Sequence, residues 1–206
     1  MSDSGRRHDR PTHSSGQPSG TGTDGGTTYL LVDGENIDAT LGTAILGRRP
    51  QPEERPRWDR VLGFAEQVWD QPAKGLFFLA ANGELPMTFV QALLAMGYRP
   101  VPLSGPDKVV DIAIQRTLEA LRDREDDDVI LASHDGDFLP QLTTLVDGDR
   151  RVATMGFAEF RNNGFHGLEA RGMEFFDLEH DVNAFRAVLP RVRIIPIDQF
   201  DPLDFL

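Results

Sequence analysis

Short, unbroken runs of large apolar residues recur along the chain, and each is closed by a turn signal. Tyr29-Leu30-Leu31-Val32 ends at Asp33-Gly34, and Leu76-Phe77-Phe78-Leu79-Ala80 ends at Asn82-Gly83. Residues 98–103 end at Ser104-Gly105-Pro106, and Asp128-Val129-Ile130-Leu131-Ala132 ends at Ser133. Residues 151–155 and 174–178 form a fifth and a sixth run. Runs without polar alternation suit strands buried on both faces, as in a parallel sheet. The intervening segments change to helical spacing. Trp58, Val61, Leu62, Ala65, Val68 and Trp69 form one stripe; Phe89, Val90, Leu93, Leu94 and Met96 form another, with Gly97 placed as a C′ glycine. Val110, Ala113, Ile114, Leu118 and Leu121 form a third behind Asp107 as an N-cap, and Phe138, Leu139, Leu142 and Leu145 form a shorter fourth. This alternation predicts right-handed βαβ units: an α/β chain, three-layer α/β/α and Rossmann-like, with a mainly parallel sheet of five to six strands.

The pattern stops at both ends. Residues 1–27 carry almost no large apolar side chain, so they are expected to be a disordered tail. Residues 28–180 form the expected domain. Residues 181–206 are expected to give a weak helix and then an acidic tail, in which Asp198, Asp201 and Asp204 alternate with Ile197, Phe200, Leu203 and Phe205. That tail could dock on a protein partner, join a homodimer or fold back. Residues 47–57 form a polar loop with three prolines and with Arg48, Arg49, Arg55 and Arg57, either a clamp for a nucleic-acid backbone or a solvated charged loop.

Composition narrows the chemistry. A chain of 206 residues suits one domain with a core. It has no cysteine, which excludes disulfide frameworks, thiolate catalysis and cysteine zinc sites. No apolar leader or membrane-length run is present, so the expected location is cytoplasmic. The net charge of −12 argues against a broad phosphate-binding surface, but a carboxylate cluster that holds cations creates such a deficit itself.

Ligands of an open parallel sheet bind beyond the carboxyl ends of its strands. There the first strand delivers Asp33, Glu35 and Asn36, the fourth delivers Ser133, Asp135 and Asp137, and the third helix brings Asp111 in its first turn beside Lys108. Converging carboxylates repel unless a cation joins them, and an all-oxygen set suits Mg2+ or Mn2+ better than zinc. Each motif alone has a plain structural reading. Asp33-Gly34 can be a turn, Ser133-His134-Asp135-Gly136-Asp137 an Asx-turn capping the next helix, and Asp111 a partner of Lys108. Asn36 is an active-site donor or the N-cap of the first helix; Ser133 orients Asp33 or a phosphate, or begins the turn. Asn82 offers a substrate contact or only a turn. His134 is expected in solvent, and Asp126-Asp127-Asp128 is expected to be surface charge at the opposite edge.

Taken together, Leu31-Val32-Asp33-Gly34-Glu35-Asn36, Lys108-Val109-Val110-Asp111 and Ile130-Leu131-Ala132-Ser133-His134-Asp135-Gly136-Asp137-Phe138 resemble the NYN domain, a LabA-like branch of the PIN-type nuclease superfamily. The similarity runs from about Tyr29 to Asp177. It implies a PIN-like fold, a single divalent-metal site and ribonuclease activity on RNA. By position it carries the family's acidic site onto Asp33, Asp111, Asp135 and Asp137, and its accompanying polar positions onto Asn36 and Ser133. His134 stands where many relatives have a small residue. Two other readings compete. An aspartyl-phosphate phosphatase would use Asp33 as nucleophile, but Glu35 stands where its second aspartate belongs. A non-catalytic RNA- or protein-binding module would use the same pocket without chemistry.

Overall fold

The computed structural model describes residues 26–83, 85–105, 107–190, 197 and 200–205. Most of the expected N-terminal tail, residues 1–25, lies outside the described residues, as does much of the acidic C-terminal tail. Six strands form: β1 (Thr28–Asp33), β2 (Ala73–Ala80), β3 (Arg99–Leu103), β4 (Asp128–Ala132), β5 (Val152–Gly156) and β6 (Glu174–Asp177). The helices are α1 (Gly34–Thr40), α2 (Trp58–Gln67), α3 (Met87–Ala95), α4 (Val109–Arg122), α5 (Leu139–Val146) and the short α6 (His166–Glu169).

All five strand pairings are parallel, in the order β3-β2-β1-β4-β5-β6. The chain walks outward from β1 to β3, then crosses back through α4 to lay β4 on the other side of β1. The strand order therefore reverses between β1 and β4, where a crevice opens at the carboxyl edge. Alternate residues serve opposite faces, which is why each strand reads as a continuous apolar run. Leu30, Val32, Phe77 and Leu79 pack with Trp58, Val61, Leu62 and Ala65 of α2 and Leu93 of α3. Leu31 and Phe78 pack with Val110, Ile114, Leu118 and Leu121 of α4 and Leu142 and Leu145 of α5. Pro100 and Pro102 lie two residues apart on edge strand β3, so their missing N–H groups fall on one side of it, a pattern that blunts a free edge.

Gly97 has φ +91 and closes α3 as expected: its N–H donates to Leu94 and that of Tyr98 donates to Leu93, the paired bonds of a Schellman turn. Other local expectations are corrected. The residue preceding α4 is Lys108, in the left-handed region at φ 63, and Asp107 makes no cap. A turn of π-helix, Leu41–Leu46, extends α1. Asp127 and Asp128 are buried rather than surface charge. Asp127 accepts from the Thr27 N–H and from Arg124, while Asp128 accepts from Gln71, the Arg151 N–H and the Arg151 guanidinium. These bonds hold the amino-terminal edge of the sheet closed. The weak helix expected after Asp181 is not formed over residues 181–190; this stretch runs irregularly and buries Val182, Ala184, Phe185 and Leu189 in the α2-side core. Among the described residues, no helix is long and apolar enough to cross a membrane.

Candidate metal centre

The reversal of strand order sets Asp33 beside Ser133. Asp33 has the same parity as Leu31, so its side chain belongs to the α4 face of the sheet. It is 3% exposed. Its Oδ1 accepts the Asn36 N–H at 3.2 Å, and this bond caps α1. Its Oδ2 accepts the Ser133 hydroxyl at 3.0 Å across the crevice. Burial pushes the carboxyl up to about 6; the bonds from Asn36 and Ser133 oppose that rise, and the charges of Asp111 and Asp135 add to it. Asn36, one expected cap of α1, is therefore capped by Asp33 instead.

Ser133 continues the chain of bonds, since its Oγ also accepts the Asp135 N–H at 3.2 Å. Asp135 caps the 3-10 turn Gly136–Phe138 through an Asx bond, Oδ1 accepting the Asp137 N–H at 2.9 Å. The first turn of α4 brings Asp111 to the same place. One carboxylate oxygen from each of Asp111, Asp135 and Asp137 can be chosen so that all three lie within 4.8 Å of one another. Burial raises the Asp111 carboxyl, and the Asp135 charge raises it further, with Lys108 in opposition. Asp33 lies beneath this trio and feels two of its members, but it is not one of the three clustered groups. Lys108 caps the arrangement from outside: its ammonium donates to Asp137 Oδ2 at 2.8 Å, which raises the lysine.

The remaining expected residues fall into supporting positions. The Asn36 Oδ1 accepts the His134 backbone N–H at 2.8 Å and lies 3.1 Å from its Nδ1, so Asn36 ties α1 to the loop after β4. Asn82 accepts the Gly105 N–H at 3.1 Å, bracing the loops after β2 and β3, and it does not join the acidic group. His134 is 7% exposed, contrary to the expectation of a solvated side chain. Its Nε2 accepts the Phe157 N–H at 2.7 Å and its ring stacks on Phe157. An accepting Nε2 leaves the proton on Nδ1, directed at Asn36, and burial lowers the imidazole to about 4. The histidine is thus a neutral strut between β4 and β5. No sequence signal marks it, because its partners lie on α1 and beyond β5. Glu35, delivered to this edge with Asp33, does not join the acidic trio: its Oε1 accepts the Ala80 N–H at 3.2 Å at the end of β2.

Two clefts among the described residues lie away from Asp33, Asp111, Asp135 and Asp137. One of about 510 Å³ is formed by α1, the π-turn and the loop with Arg48, Arg49 and Arg55. A second of about 420 Å³ lies between Gly34 and Glu35, the end of β2, Trp58 and Phe89.

The NYN domain model matches residues 27–179 of the chain. A solved structure with a similar fold is that of a protein of unknown function from Vibrio parahaemolyticus RIMD 2210633. It is 18% identical, covers 76% of this chain and 95% of its own, and superposes with a TM-score of 0.58. At that identity the likeness establishes fold alone. No curated protein matches the sequence.

Proposed function

This chain belongs to the NYN domain family, and from that premise we propose that it is a divalent-metal-dependent ribonuclease that hydrolyses RNA phosphodiester bonds in the cytoplasm. The observation that carries the proposal is the meeting of Asp111, Asp135 and Asp137 within 4.8 Å, with buried Asp33 alongside. Asp111, Asp135 and Asp137 would hold the ion, with Asp33 as the fourth, inner carboxylate. The donor set fits: it is all carboxylate oxygen, the chain has no cysteine, and His134 is committed to Phe157 and Asn36. Hard oxygen donors suit Mg2+ or Mn2+. Such an ion, when bound, supplies Lewis-acid charge to a phosphodiester and lowers the pKa of a coordinated water.

The protein's own contribution is position and charge. Ser133 holds Asp33 through its hydroxyl and Asp135 through that residue's backbone, so two ligands on one crest keep a fixed separation. Asn36 secures the backbone of His134 between them. Lys108 sits on the solvent side of the acids, where its ammonium can meet a phosphate oxygen of the strand. Ser133, Asn36 and Asn82 are the remaining proposed substrate contacts.

The Lys108–Asp137 ion pair also favours a second reading. It partly neutralises the trio, so the acids could persist in a non-catalytic RNA- or protein-binding module. Manganese-dependent cleavage of single-stranded RNA, compared with Asp135→Asn, separates the two. The expected result is cleavage by the native chain and a loss of about a hundredfold or more in the variant. Failure to cut any RNA or DNA, with no Mn2+ binding by calorimetry, would overturn the nuclease proposal.

A further inference from the structure

Gly34 and Glu35, which directly follow Asp33, also form one wall of the 420 Å³ cleft on the α2 side of the sheet. The opposite walls are Phe77, Leu79 and Ala80 of β2, Trp58 of α2, and Pro86 and Phe89 at the start of α3. Trp58, Phe77 and Phe89 form an edge-to-face series, with ring centroids 5.0 Å and 5.4 Å apart. Phe89, at its outer end, is half-buried. Gly34 adds flat backbone to this wall, since a Cβ there would lie 2.5 Å from the Phe77 ring.

Polar groups at the rim have unused capacity. Arg55 approaches Asp38 at 3.0 Å but at an angle that makes no hydrogen bond, so its buried Nε–H is unsatisfied. The Arg49 guanidinium lines the cleft with Asp38, whose carboxyl burial raises and its charge lowers, and Glu35 accepts the Ala80 N–H through Oε1. The partly exposed Phe89 ring, backed by the buried Phe77 and Trp58 and rimmed by guanidinium donors and a carboxylate acceptor, suits a planar ligand that carries both acceptors and paired donors on its edge. A nucleobase has those properties, and stacking on aromatic side chains is how unpaired bases are held. Among the four bases, guanine sets two adjacent N–H donors against a carboxylate and presents O6 and N7 to arginine.

We propose that this cleft is a subsite for an unpaired base of the substrate strand, with guanine preferred, held by Phe89, Glu35, Arg49 and Arg55. The inference rests on the nuclease reading for the strand that carries the base. It would give cleavage a sequence preference set by the base that occupies this cleft.

The test is a titration of the full chain with GMP, AMP, CMP and UMP, without divalent ions, followed by the two tryptophan indole N–H signals in NMR. Trp58 lines the cleft, whereas Trp69 donates to Glu174 at 3.0 Å elsewhere and serves as internal control. The expected outcome is a saturable shift of the Trp58 signal alone, with GMP bound about tenfold more tightly than the others. Glu35→Gln should remove the preference and Phe89→Ala should weaken all four, while both variants keep the native Trp69 signal and Mn2+ affinity. No Trp58 shift with any nucleotide, equal binding of all four, or binding unchanged in both variants would overturn the subsite. GMP binding without RNA cleavage would remove the nuclease reading alone, and cleavage without a Trp58 shift would remove the subsite alone.

Discussion

Asp33 is held where solvation is poor, and its carboxyl accordingly sits near pH 6 rather than its ordinary 3.8. Below about pH 6 the metal-free side chain keeps its proton, and an incoming divalent ion must displace it. Mn2+ affinity is therefore expected to rise through pH 5 to 6, by up to about tenfold per unit, and to flatten above pH 7. Calorimetry at pH 5 and 7.5 measures this, and an affinity independent of pH would remove Asp33 from the ligand set. Lys108 gives a second prediction at this scale. Its ammonium occupies Asp137 at 2.8 Å and competes with any ion for that oxygen. In Lys108→Met, Mn2+ should bind several-fold more tightly while RNA cleavage falls, because a cation that opposed the metal also faced the phosphate. Weaker Mn2+ binding in that variant would show that the lysine supports the site rather than competing for it. The residue types of both predictions were legible in the sequence. The burial of Asp33 was not, because it arises in the folded crevice, where its partner Ser133 stands one hundred positions further along the chain.

Between β1 and α1 the chain turns from strand to helix with no intervening loop, and Gly34 makes that turn possible. A methyl group there would meet the Phe77 ring at 2.5 Å. Phe77 has no room to yield, since it is 2% exposed and has edge contacts to Trp58, Phe89 and Tyr98. Gly34→Ala is expected to cost about 1–3 kcal/mol, the usual range for overpacking a filled core. Urea denaturation checks this, and an unchanged midpoint would mean that the ring relaxes freely. Elements with strong periodicity, such as α2 and α4, could be read from sequence because packing and pattern agree. Residues 181–190 misled, because Val182, Ala184, Phe185 and Leu189 are buried without any helix. They wrap the α2-side core, where tertiary burial outweighs local propensity.

Across the whole molecule, the acidic excess and the folded site are linked. The trio is assembled from α4 and the β4–α5 turn, segments that meet only in the folded chain. An ion bound there favours the native state over the unfolded one. Saturation at about one hundred times the dissociation constant should add roughly 2.7 kcal/mol to stability. The thermal midpoint should accordingly rise in millimolar Mn2+, and Asp111→Asn should abolish the rise. An equal rise in that variant would place the ion elsewhere. At this scale the sequence by itself determined five to six strands, their mainly parallel class and the carboxyl edge as the place for chemistry. Runs of residues buried on both faces, separated by amphipathic helices, admit few other packings. The acids were visible too, because each directly follows a strand or opens a helix. Only the tertiary structure decided which of them meet. It grouped Asp111, Asp135 and Asp137, placed Asp33 beneath them as a buried cap of α1, and made His134 an uncharged strut. Those assignments depend on which strands neighbour one another and on which side chains lose their water. Both are set by contacts between residues far apart in the chain, which local pattern does not encode.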